Sequence, residues 1–175
     1  MLYKVVNQFG PKAGETWQDY SSWFEAYHLV EFCSLDSMMN DSVFTPETIE
    51  DWENIVQKDF MIEMITNLSY ARKIHERHPG AVIFGLIIEP DVEDLKENDG
   101  LLGFDVIDGY CGNSLITNCG GYPEIFNDED ISKYGLLDDY YNACRIRDEL
   151  RRQFPECAHA RECCVWAIYR VSHVS

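Results

Sequence analysis

Eight consecutive residues without a polar side chain, Ala81-Val82-Ile83-Phe84-Gly85-Leu86-Ile87-Ile88, constrain this chain more than any other segment. The length of the run and its β-branched content predict a buried strand, ended by Pro90. Three further strands are predicted to join it. Leu2 to Val6 precedes the Gly10-Pro11 turn signal, Leu101 to Ile107 follows an acidic connector over Asp91 to Gly100, and Cys163 to Val171 closes the chain. Ala81–Ile88 and Leu101–Ile107 read as a hairpin with a long loop.

Helical periodicity marks two main segments. Thr45, Pro46 and Glu47 supply an N-cap, a first-turn proline and an early acid. From there Ile49, Trp52, Val56, Phe60, Met64, Leu68 and Ala71 recur at spacings of three and four up to the His78-Pro79-Gly80 stop, which predicts one long helix. Leu136, Tyr140, Ala143, Ile146, Leu150 and Phe154 form a second apolar stripe, ended by Pro155. Tyr20, Trp23 or Phe24, Tyr27 and Val30 also fit a helix, although Phe24, Ala26, His28 and Val30 alternate as a strand would. The length of that stretch favours helix, and Ser34 to Phe44 reads as a loop.

The resulting order is strand, helix or helices, strand, strand, helix, strand. It predicts a single α+β domain over residues 1–175, with a sheet of about four strands, largely antiparallel, and two main helices on one face. The two halves echo the split β-α-β, ferredoxin-like arrangement. The length of 175 residues and a hydrophobic content of 46% suit one core of ordinary size.

Charge is segregated along this chain. Between Ala13 and Gln57 stand ten acidic side chains and no Lys or Arg: Glu15, Asp19, Glu25, Glu31, Asp36, Asp41, Glu47, Glu50, Asp51 and Glu53. Trp17, Tyr20, Trp23, Phe24, Tyr27, Phe32, Phe44 and Trp52 are interleaved among them, so the stretch predicts a folded anionic face and not a disordered acidic tail. A formal net charge of −17 opposes binding to nucleic acid or to an anionic membrane. The one basic cluster, Arg145, Arg147, Arg151 and Arg152, is interrupted by Asp148 and Glu149 and reads as a solvated helix face. No run reaches the roughly 18 apolar residues of a membrane helix. The first residues lack the apolar core of a secretory signal, and seven cysteines cannot all pair within one chain. Reduced thiols in a cytoplasmic protein are the expectation.

Candidate chemistry centres on a Gly-rich loop over residues 103–121. There a strand delivers Asp105 and Asp108 into a turn carrying Cys111, Asn113, Ser114 and Cys119. Such a loop could bind a ligand or position a general base, and Cys111 or Cys119 could act as a nucleophile with a histidine as base and an aspartate as orienter. No phosphate-cradling glycine fingerprint is present, and glycines with Asn and Asp also serve ordinary turns. Cys157, His159, Cys163 and Cys164 concentrate soft ligands, but their spacing does not match a zinc pair. Asp91, Glu93, Asp94, Glu97 and Asp99, and Asp128, Glu129 and Asp130, lack the calcium-loop pattern and read as hydrated loops. No metal and no cofactor is expected.

The sequence therefore predicts an acidic protein-binding module that captures a basic partner. Trp17, Tyr20 and Trp23 would be anchors, and Asp19, Glu25, Glu31, Glu50, Asp51 and Glu53 would supply the field. In composition, and in no motif, the chain resembles the small acidic immunity proteins that neutralise a nuclease or another basic toxin. The alternative is a small hydrolase-like enzyme or ligand-binding domain using the loop at residues 103–121.

Overall fold

The computed structural model describes residues 1–7, 27–35, 38, 42–57, 63–97, 99–109, 112–117 and 125–171. In chain order its elements are β1 (Leu2–Asn7), α1 (Ile49–Glu53), β2 (Ile55–Gln57), β3 (Glu63–Ile65), α2 (Leu68–Arg77), β4 (Ala81–Ile88), α3 (Val92–Glu97), β5 (Leu101–Ile107), α4 (Tyr140–Gln153), α5 (Ala158–Arg161) and β6 (Cys164–Arg170). One 3-10 turn spans Asp128–Asp130. The described strands form one antiparallel sheet in the order β2-β3-β1-β4-β6-β5.

The apolar run becomes β4, and its composition follows from its place inside the sheet. It pairs with β1 through Val5↔Ile83 and with β6 through Ile87↔Ala167, so both its edges and both its faces are covered. Residues that alternate along a strand point to opposite faces. On one face Val5 and Ile83 pack with Tyr70, Ala71 and Ile74 of α2, while Val165, Ala167, Phe104 and Val106 pack with Ala143, Ile146 and Leu150 of α4. The two longer helices thus share a face, as expected from the α+β reading. On the opposite face Phe84, Leu86, Trp166 and Ile168 are buried under Cys33, Leu35, Met38 and Leu136.

Three expectations are corrected. The sheet has six strands instead of four, because β2 and β3 form where one long helix was predicted. Val56 and Met64, spaced as one helical stripe, are cross-strand partners instead. The break has local causes. Asn54 ends α1, β-branched Ile55, Val56 and Ile65 favour strand, and the Asn67 side chain accepts from Ser69 N at 2.8 Å to start α2 afresh. Thr48, and not Thr45, caps α1.

The second correction concerns β4 and β5, which are not a hairpin: β6 lies between them and pairs with both. With it goes the ferredoxin-like topology, since β1 and β4, joined through α2, lie side by side and antiparallel instead of being separated by another strand. Third, the acidic connector after β4 contains a helical turn, α3, because Asp91 Oδ1 accepts from Glu93 N and Asp94 N, both at 2.9 Å. The predicted helix around Tyr20 to Val30 lies largely outside the described residues.

Two arginines of α4, Arg147 and Arg151, tie the helix to the sheet. Glu89, at a φ of 47° just beyond β4, takes Arg147 in an ion pair, lies 3.6 Å from Arg151, and accepts from Val165 N at 3.0 Å. Arg151 Nε donates to Cys163 O at 3.0 Å, and Arg152 pairs with Glu149. Among the described residues no helix is long and apolar enough to cross a membrane.

Candidate functional site

The loop after β5 brings together four of its predicted residues, though in an inward-facing role. Asp105, Asp108 and Ser114 are fully buried. Ser114 Oγ donates to Asp105 Oδ1 at 2.6 Å and accepts from Ile116 N and Thr117 N, while Asp105 Oδ2 accepts from Leu35 N at 3.1 Å. Asp105 thus ties the loop to the segment that covers the far face of the sheet. Asp108 closes the turn: its carboxylate accepts from Gly112 N at 3.3 Å and Asn113 N at 3.2 Å, and its own N–H donates to Asn113 O at 2.9 Å.

Among the described residues, one histidine reaches the described part of this loop. His159 Nδ1, on α5, stands 3.5 Å from Asp108 Oδ1, and its side chain is 41% exposed against a fully buried aspartate. A buried carboxylate behind a partly exposed imidazole is the arrangement in which an aspartate orients a general base. Close packing of Gly109 against Glu162 holds α5 there; a Cβ at position 109 would stand 2.2 Å from the Glu162 Cβ. Cys111 and Cys119 lie outside the described residues.

The other cysteine and acid clusters disperse. Cys163 Sγ donates weakly to Arg147 O at 3.7 Å, and burial pushes its thiol up to about 11. Cys157 precedes α5 and His159 turns to Asp108, so these soft ligands do not converge with Cys163. Among the described residues no group of three or more His, Cys, Asp or Glu side chains could hold a metal ion.

The carboxylates expected on an anionic face divide into two kinds. Glu31 is 4% exposed and forms an ion pair with Arg170, whose guanidinium also lies 5.9 Å from the centre of the Phe84 ring. Asp51 is 7% exposed. It accepts from Glu47 N at 2.9 Å, from Thr48 N at 2.6 Å and from the Tyr70 hydroxyl. These two acids are therefore buried and held by internal partners, Arg170 for Glu31 and Tyr70 with the α1 cap for Asp51. Glu50 and Glu53 stay at the surface, Glu50 3.0 Å from Lys73 Nζ. Trp17, Asp19, Tyr20, Trp23 and Glu25 lie outside the described residues.

Two features escaped the sequence reading. Ile49 and Trp52 of α1 are 79% and 49% exposed, although both were assigned to an apolar stripe. Between α1 and α2, and lined by neither of these two side chains, lies a cavity of about 390 Å³. Lys4 is the other feature: it is 5% exposed, and burial lowers its ammonium to about 8 while Glu63 opposes the shift. Comparison with known proteins returned no matching family model, no matching curated protein and no matching solved structure.

Proposed function

We propose that this chain is a protein-binding module that captures a basic partner through the outward side of α1. The observation that carries the reading is the exposure of Ile49 and Trp52, three residues apart and so neighbours on one helix side, with Glu50 and Glu53 beside them. Exposed apolar side chains ringed by carboxylates combine the two parts of such an interface. The aromatic anchor is desolvated on binding, and the acids raise the association rate of a cationic partner. Internal pairing of Glu31 and Asp51 narrows the field to fewer acids than the sequence implied.

The test is affinity capture from the source cell's lysate at low and high salt, repeated with Trp52→Ala and with the Glu50→Lys, Glu53→Lys double variant. A basic protein held at low salt, released as salt rises and lost with either variant supports the reading. A capture that neither variant alters removes it.

A second reading, a hydrolase-like site, draws on Asp108 and His159. It requires that Asp108→Asn abolish turnover of a substrate without a comparable loss of stability. Equal loss of both leaves the loop a structural one.

A further inference from the structure

We infer that the cavity between α1 and α2 binds a small zwitterion with an apolar body, of the chemistry of a free aliphatic amino acid. Its volume, about 390 Å³, lies at the small end of the range for ligand sites. Its walls carry opposite charges. Glu47 and Glu50 stand on the α1 side and Arg77 at the end of α2, while Phe44 and Ile74 contribute apolar surface. Asp51 also borders the cavity, but the Tyr70 hydroxyl and two backbone N–H groups already occupy its oxygens.

The charges left for a ligand are informative. Neither Glu47 nor Arg77 makes an ion pair with any described residue, in a chain with 31 acidic side chains against 14 basic ones. A purely cationic ligand would be opposed by Arg77 and by Lys73, which already pairs with Glu50. A purely anionic ligand would be opposed by Glu47 and Glu50. An ammonium on the α1 wall with a carboxylate on Arg77 answers both, and an aliphatic side chain then covers Phe44 and Ile74 instead of water. The inference shares Glu50 with the partner surface but not Ile49 or Trp52, which do not line the cavity, so Arg77→Met and Glu47→Gln test it separately from that surface.

The experiment titrates the full chain with L-leucine, followed by calorimetry and amide chemical shifts. Leucinamide and 4-methylpentanoate serve as probes that keep one charge each. Saturable leucine binding is expected, weaker by about tenfold or more for both single-charge probes, since each loses a charge-assisted hydrogen bond. Arg77→Met and Glu47→Gln, checked for intact folding by circular dichroism, should each weaken leucine binding by a similar factor. Glu93→Gln, on α3, should leave it unchanged. Absence of saturation at millimolar leucine overturns the inference. So does leucinamide binding as tightly as leucine, which would make the cavity a receptor for a basic side chain.

Discussion

The Tyr70 hydroxyl donates to Oδ1 of Asp51, so a single carboxylate both closes the capping box of α1 and joins α1 to α2. That hydrogen bond first, and then those from Glu47 N and Thr48 N, hold the Asp51 carboxyl well below the usual carboxylate range. Burial, and then the Asp51 carboxylate, push the Tyr70 phenol up to about 12.

The pH consequence follows in sign. A carboxyl depressed in the folded state stabilises fully above its unfolded value, about 3.9, and that contribution is lost as pH falls toward the folded value. Asp51→Asn should therefore be less stable than the parent chain at pH 7, with the gap shrinking below about pH 4. Thermal melts from neutral to strongly acid pH measure it. A gap independent of pH would mean that the carboxylate charge contributes nothing. Tyr70→Phe should remove part of the same acid dependence.

The pair Glu31 and Arg170 gives a second prediction. Glu31 is buried, with Oε1 lacking a hydrogen-bond partner among the described residues, so removal of Arg170 strands a buried charge. Arg170→Met should cost about 3 kcal/mol, the low end for a broken buried pair because Arg170 keeps some solvent contact. The double variant Glu31→Gln, Arg170→Met should recover much of that loss. Denaturant unfolding of the parent chain, of Glu31→Gln and Arg170→Met singly, and of the double variant measures the coupling; additive losses would mean that the pair is not coupled.

Local signals were legible and long-range ones were not. The bounds of β4 and β5 could be read because apolar content and turn residues act over a few neighbours, and Pro155 marks the end of α4 for the same reason. Strand order could not be read, since β6 enters between β4 and β5 from the far end of the chain. Nor could the spacing of Val56 and Met64 separate a helical stripe from a cross-strand pair. At the site, Asp105, Asp108, Asn113 and Ser114 do meet in one loop, but their inward role depends on Leu35 and His159, distant in sequence. Glu31 read as a surface acid because its partner Arg170 lies 139 residues away.

Glycine in that loop has a packing reason that can be tested. A Cβ at Gly109 would stand 2.4 Å from the Glu162 carbonyl oxygen as well as against its Cβ, whereas at Gly80 nothing lies within 4 Å. Gly109→Ala should therefore destabilise by about 1–3 kcal/mol, the usual cost of overpacking, and push α5 with His159 away from Asp108. Gly80→Ala should be close to neutral. Thermal unfolding of both variants decides it, and equal small effects would show that the contact relaxes freely.

Lys4 supplies the last prediction, with the opposite sense to Asp51. Its side chain points to the sheet face that holds Phe84, where burial disfavours the ammonium and lowers it to about 8, against an unfolded value near 10.4. Below about pH 8 both states are protonated and the full penalty applies; as pH rises toward 10.4 the folded chain releases its proton first, so the penalty fades. The difference in pKa corresponds to at most about 3 kcal/mol at neutral pH. Lys4→Met, which keeps the apolar stem and removes the charge, should therefore stabilise the chain by about 1–3 kcal/mol at pH 7. Its advantage should narrow above about pH 8, whereas a constant advantage would assign the effect to packing alone. Denaturant midpoints of the parent and variant chains at pH 7, 8.5 and 10 distinguish these outcomes.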